Sequence, residues 1–202
     1  MRKIRQSPVE AMLQLQADLT SGHYRAGRPS PLMIAKADGG TRELAVYPLR
    51  DRVAQRALLD VVQPLSESRF LPCSFGFRPG RGVHHAVRAA RSLLNQGFDW
   101  LVDADIRQCF DQIPRRRLLD AVGGWLDDAQ APGLVCACRG WHESDLTPGA
   151  RGIPQGACLS PWLCNVYLHA FDQASCAAEV PLVRYADDFL LFAEARTAAS
   201  VW

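Results

Sequence analysis

Near the carboxyl end, the string Leu182-Val183-Arg184-Tyr185-Ala186-Asp187-Asp188-Phe189-Leu190-Leu191-Phe192-Ala193 sets two adjacent carboxylates between two short apolar runs. The runs have strand length and Pro181 precedes the first, so the stretch predicts a β-hairpin with Asp187 and Asp188 at its tip. Carboxylates held together amid apolar β sequence repel one another and resist desolvation. Either something positive compensates them or the pair is turn chemistry, which Asp fills readily. A second segment bears on the choice. From Asp99 onward, Trp100, Val102, Ala104 and Ile106 alternate with Leu101, Asp103, Asp105 and Arg107, which is the period of a strand. That places further carboxylates at a strand end. Oxygen-only ligands from two separated segments suit Mg²⁺, which keeps several waters and shares its sphere with substrate phosphates. Periodicity puts Asp103 and Asp105 on one face and does not choose between them.

The rest of the chain reads as short helices between bends. Pro8 to Leu19 carries Met12, Leu15 and Leu19 at helical steps, with Ser7 and Pro8 as cap and first-turn residue. Arg25 to Thr41 reads as two short strands joined by Asp38-Gly39-Gly40, a hairpin with Lys36 and Arg42 at its ends. Asp51 is expected to cap a helix through Val62 that Pro64 stops. A helix from about Val83 to Leu94 follows the bend Gly76-Phe77-Arg78-Pro79-Gly80. Pro114 opens a helix through about Trp125, and residues 127–150, rich in Gly, Pro and Asp, read as a long connection. Ser160-Pro161 starts a further helix.

The chain has 202 residues, 48% hydrophobic and 22% charged, enough to bury a core and too apolar for overall disorder. No apolar run approaches the ~18 residues of a membrane span. The basic start, MRKIRQSPVE, lacks the continuous apolar region of a secretion signal, so a cytoplasmic protein without membrane contact is expected. Seven cysteines show no Cys-x-x-Cys pair, Cys136-x-Cys138 being the nearest, and read as reduced thiols. The net charge of +2 hides an asymmetry: residues 1–91 hold 15 Lys+Arg against 7 Asp+Glu, giving +8, and residues 92–202 hold 8 against 14, giving −6. A lobe boundary near residue 98 follows, with 1–98 basic and 99–202 acidic.

Taken in order, these segments resemble the conserved blocks of reverse transcriptases of the bacterial group II intron-like type. Arg184 to Ala193 resembles their Tyr-x-Asp-Asp hairpin. Ile34 to Arg42 with Asp51 to Gln55, Ser74 to Arg81 with His85 and Ala86, and Asp103 to Asp111 resemble the first three blocks. Arg151 to Gly156, with Leu159-Ser160-Pro161 and Asn165 to Leu168, resembles the fourth.

The resemblance implies an α+β fold: the fingers and palm of a right-hand polymerase, with an antiparallel palm sheet packed on helices and the thumb missing. Residues 1–98 would be fingers, on the template and triphosphate side, and 99–202 the catalytic palm. It implies an RNA-directed DNA polymerase that transfers nucleotides from deoxynucleoside triphosphates to a primer 3′-hydroxyl. Two Mg²⁺ ions, or Mn²⁺, would sit on Asp105, Asp187, Asp188 and the Ile106 carbonyl. Phe110 would lie under the sugar, Gln155 and Gly156 beside the nucleotide, and Lys36 and Arg42 on the triphosphate. Arg78 and Arg81, with Arg50, Arg52 and Arg56, would meet template phosphates. Partners would be an RNA template, a DNA primer and a downstream thumb or accessory segment. The alternative is a non-catalytic remnant or RNA-binding module of an intron, CRISPR-associated or phage-defence reverse transcriptase.

Overall fold

The structure, a computed structural model, describes residues 7–35 and 39–194. In chain order the elements are α1 (Pro8–Thr20), β1 (Ser30–Ala35), β2 (Thr41–Val46), α2 (Leu49–Glu67), α3 (Val83–Asn95), β3 (Trp100–Asp105), α4 (Cys109–Gln112), α5 (Arg115–Leu126), α6 (Ala131–Arg139), α7 (Ser160–Ala177), β4 (Leu182–Tyr185) and β5 (Asp188–Ala193), with a 3₁₀ turn at Glu143–Leu146 before α7. The chain is therefore mixed helix and antiparallel sheet, as the α+β reading expects. It divides into two compact units, Met1–Ser66 with Phe110–Leu163, and Glu67–Cys109 with Cys164–Trp202.

In the first unit, β1 and β2 form an antiparallel hairpin in which Ile34 faces Arg42. The apolar stripe of α1 is buried as its spacing requires. Leu15 joins Tyr24, Ala54, Ala137 and Cys138 in a core cluster, with Met12, Leu19 and Leu134 packed against it. Asp51 is not a surface cap. It is 2% exposed and accepts bonds from the Tyr24 hydroxyl at 2.7 Å and the Gly27 amide at 3.0 Å, which ties the start of α2 to the preceding loop. Burial and that carboxylate together push the Tyr24 hydroxyl well above its ordinary pKa. Pro64 does not stop α2, which continues to Glu67. Trp162 Nε1 donates to Ser66 Oγ at 2.8 Å, and Ser66 in turn donates to the Val62 carbonyl at 2.7 Å. Those bonds hold the last turn past the proline's missing donor.

Residues 127–150 are not an open connection, since they form α6 and the 3₁₀ turn. Pro132 stands in the first turn of α6, where its lost N–H is harmless, and Gly140 follows the last helical residue.

In the second unit the three-stranded sheet has the order β3-β5-β4, with both pairs antiparallel. Register places Leu101 opposite Phe192, Asp103 opposite Leu190, and Asp105 opposite Asp188. Val183 faces Leu190 and Tyr185 faces Asp188. Directly paired residues share a face, so one face carries Phe192, Leu190 and Val183 at one end and Asp105, Asp188 and Tyr185 at the other. The apolar end packs with Phe75, Ala86 and Leu93, the last two from α3. On the opposite face, Phe189 meets Phe171 of α7 edge-on, with ring centroids 4.9 Å apart.

Candidate active site

The hairpin tip is built from a tight turn. Tyr185 ends β4, Asp188 begins β5, and between them Ala186 adopts the left-handed region at φ 60. This two-residue connection puts Asp188 into the ladder opposite Asp105, with Cα atoms about 5 Å apart as antiparallel pairing dictates. Pairing continues one residue further, because the Ile106 amide donates to the Asp187 carbonyl at 3.3 Å. The backbone thereby gathers Asp105, Ile106, Asp187 and Asp188, and Asp103 lies two residues along the same face.

Among the described residues none of these four carboxylates is in an ion pair. Their mutual charge shows in Asp188, whose carboxyl is pushed up first by desolvation and then by Asp187, Asp105 and Asp103. An uncompensated set of hard oxygen donors fits a divalent cation. Among the described residues no group of three or more His, Cys, Asp or Glu side chains is placed to hold a metal ion by itself. The Ile106 carbonyl accepts from the Cys109 amide at 3.1 Å, which leaves one lone pair.

The first unit gathers a different set. Gln155 is half-buried and its carbonyl accepts from the Ala45 amide of β2 at 2.7 Å. Gly156 has φ 93, and a Cβ there would lie 3.2 Å from Leu44 Cβ and 3.3 Å from the Ala45 carbonyl oxygen. Only glycine allows this approach without a shift. The Phe110 carbonyl accepts from the Ile153 amide at 2.8 Å, so Phe110 is tied to the same loop. Arg139, buried between the Tyr47 and Trp141 rings, donates to Ser160 Oγ at 3.0 Å, and Ser160 donates to the Pro154 carbonyl at 2.6 Å. Arg42 is exposed on β2, the strand that holds Gln155. Lys36 lies outside the described residues.

The bend before α3 departs from its sequence reading. Arg78 is 7% exposed. Its guanidinium donates to Glu67 Oε1 from Nε and Nη2, to the Glu67 carbonyl from Nη2, and to the Leu71 and Ser74 carbonyls from Nη1. An arginine has five N–H donors, so all are committed inside the unit and none is left for a phosphate. Arg81 is half-buried over the Phe75 ring, and its Nη1 donates to the Pro72 carbonyl at 2.8 Å. Arg50 is paired with Asp18 and Arg56 with Asp60.

Sequence reasoning missed the group beneath the hairpin tip: Arg184, Asp172, Asn165 and Ser74, all buried. The signal was present in an arginine set between Val183 and Tyr185 in an apolar strand, where a charge has to be matched from a neighbouring element.

The fold is one seen in solved telomerase structures. A telomerase structure from Candida albicans superposes with a TM-score of 0.55 over 86% of this chain and 37% of that one, at 15% identity. One from Candida tropicalis gives 0.53 over 92% and 40%, at 12% identity. At the level of sequence, the family described as reverse transcriptase (RNA-dependent DNA polymerase) matches residues 34–201. The chain belongs to that family. Protein YkfC of Escherichia coli is 36% identical over 79% of this chain and 44% of its own length. The group II intron-encoded protein LtrA of Lactococcus lactis is 29% identical over 81% of this chain and 28% of its own length. These relatives mark the group II intron-like type, and the chain spans less than half of either. Among the described residues no helix is long and apolar enough to cross a membrane.

Proposed function

We propose that this chain is the core of an RNA-directed DNA polymerase, in which a primer 3′-hydroxyl attacks the α-phosphate of a deoxynucleoside triphosphate and pyrophosphate leaves. The observation that carries the reading is the register of Asp105 opposite Asp188, with Asp187 in the turn between strands, in a reverse transcriptase family chain. Asp105, Asp187 and Asp188, with the Ile106 carbonyl, would hold two Mg²⁺ or Mn²⁺ ions, which supply Lewis acidity at the phosphate and a more acidic primer hydroxyl. Arg42, with Lys36, draws the triphosphate by charge. Gln155 and Gly156 offer a side-chain amide and an unobstructed backbone to the nucleotide, and the Phe110 ring under the sugar excludes a 2′-hydroxyl. Arg81 is the bend residue left to meet template phosphate, while Arg78 shapes the bend. In functional terms the basic stretch 1–98 serves template and triphosphate, and the acidic stretch 99–202 serves catalysis.

The test is primer extension on an RNA template with deoxynucleotides and Mg²⁺, by the chain alone and by the chain joined to the segment that follows it in a relative. Asp187→Asn should abolish incorporation in either form and leave RNA binding unchanged or slightly tighter, because it removes a charge that repels phosphate. The basic excess of residues 1–91 favours a second reading, a non-catalytic RNA-binding module. Retained, salt-dependent RNA binding with no extension in either form would select that reading.

A further inference from the structure

Arg184 is the largest side chain completely withdrawn from solvent, and its ion-pair partner Asp172 is equally buried. Nε and Nη2 of Arg184 donate to the two Asp172 oxygens, each at 2.6 Å. The remaining donors reach Asn165 Oδ1 at 3.0 Å, Ser74 Oγ at 2.8 Å and the Ala186 carbonyl at 2.8 Å. All five N–H groups are used, and the last bond ends on the turn that carries Asp187 and Asp188. Asn165 is bound twice, since its Nδ2 donates to the Gly76 carbonyl at 2.8 Å. Gly76 in turn lies against the turn. A Cβ there would fall far inside van der Waals distance of the Ala186 nitrogen and 3.0 Å from Ala186 Cα. The Phe75 amide donates to the Arg184 carbonyl at 2.9 Å, and the Arg184 amide donates to the Cys73 carbonyl at 2.8 Å. The Ser74–Gly76 bend therefore runs beside β4 as a seat for the turn.

We propose that Arg184, braced by Asp172, Asn165 and Ser74, is a positioning residue that fixes the spacing of the Asp105, Asp187 and Asp188 carboxylates. The proposal rests on the reading of those carboxylates as metal ligands. Alanine at φ 60 is uncommon for an L-residue and persists where its surroundings over-determine it. Here they do so from both sides: Arg184 grips the Ala186 carbonyl, and the Gly76 backbone leaves the turn no room to swing back. The bond to the Ala186 carbonyl orients the peptide that leads into Asp187. The Asp187 carbonyl is in turn held by Ile106, next to Asp105. A continuous run of hydrogen bonds thus links α7 to the acidic residues. Packing alone does not call for an ion pair here, because well-packed apolar groups of similar volume often stabilise as well. A planar fork with fixed donor directions adds geometry.

Arg184→Ala leaves Asp172 buried without a partner and is an uninformative variant. Ser74→Ala removes a single brace. Ala186→Gly keeps the network donors but frees the turn, and glycine accepts φ 60 without strain. Both are made in the whole chain, with Asp187→Asn as the reference that defines the site. Mn²⁺ binding is followed by the loss of the free-ion electron paramagnetic resonance signal, and folding by thermal unfolding. Both variants should bind Mn²⁺ about tenfold more weakly, Ser74→Ala because a brace behind the ligands is removed and Ala186→Gly because the backbone that carries them is loosened. Ala186→Gly should melt no lower than the parent, which separates positioning from stability. In primer extension the same variants should raise the Mg²⁺ concentration needed for half-maximal rate and recover the parental rate at saturation. Parental Mn²⁺ affinity in both folded variants overturns the positioning role. A parent whose Mn²⁺ binding does not depend on Asp187 overturns the metal-site reading itself, and the positioning role with it.

Discussion

Gly76→Ala is the substitution whose cost the structure defines most sharply. The added Cβ meets only backbone: the Ala186 nitrogen far inside contact distance, and Ala186 Cα and the Tyr185 carbonyl carbon both at 3.0 Å. No side-chain rotation relieves such a clash, so the bend and the hairpin turn have to separate. Overpacking of this kind costs about 1–3 kcal/mol. Separation also stretches the 2.8 Å bond from Asn165 to the Gly76 carbonyl, worth about 1 kcal/mol. A total near 3 kcal/mol corresponds to roughly 6–12 °C in Tm for a chain of this size. Urea or thermal unfolding, followed by near-ultraviolet circular dichroism, measures it. Gly133→Ala is the control. Gly133 lies within α6, where a Cβ meets nothing within 4 Å, so that change should stabilise by about 0.5–1 kcal/mol. A Gly76→Ala chain within 0.5 kcal/mol of the parent would refute the account of the bend as a tight seat.

Asp172→Ala strips the partner from a fully buried guanidinium and should cost about 3–5 kcal/mol, read as a large fall in urea midpoint. Arg42→Gln, on an exposed strand position, should leave Tm unchanged and raise KM for the deoxynucleotide about tenfold, the loss of one charge-assisted bond of roughly 1.5 kcal/mol. Asp188 carries a pH signature. Its folded pKa is raised, so without metal it favours folding most below the ordinary carboxylate pKa, and that stability is lost as pH rises through the folded value. Asp188→Asn should therefore raise the metal-free Tm at neutral pH. Metal binding has the opposite sign, because ligands must be deprotonated. The rise in Tm on adding Mn²⁺ should shrink as the pH falls through the upper carboxylate range, and a pH-independent rise would rule out Asp188 as a ligand.

The sequence made the acidic hairpin legible because both of its signals are local. Alternation in Trp100 to Asp105 and the paired apolar runs around Asp187 and Asp188 each specify a strand, whereas the register is not set by the apolar face of β3, because Trp100 and Val102 are exposed and Asp103 and Asp105 share the face of buried Phe192. The helix starts at Pro8 and Ser160 were legible for the same reason. What was missed depends on partners distant in the chain. Pro64 is an interior proline by any local rule, and only the Trp162 to Ser66 bond shows why the helix passes it. Arg78 looks like a surface cation on a glycine bend until Glu67 is seen to absorb it. Asp51 reads as a cap until the Tyr24 hydroxyl is found on it. In residues 127–150 the weight of Gly and Pro hid a helix, although proline in its first turn and glycine after its end were both in view.

The second unit is discontinuous: Glu67–Cys109 is completed only by residues from Cys164 onward. Ser74 and Arg184, whose side chains bond beneath the turn, are 110 positions apart. The first unit, α6 and the Gln155 loop included, is complete in the sequence ahead of the hairpin, so it can assemble without it. The acidic strand β3 has to wait unpaired, because β5, its only partner among the described residues, is the last described strand. Closing a loop of this length costs entropy before any contact rewards it. Chain order thus makes the pairing of Asp105 with Asp188 a late event in folding, and a released chain cut near residue 165 should hold a folded first unit while β3 stays open to protease.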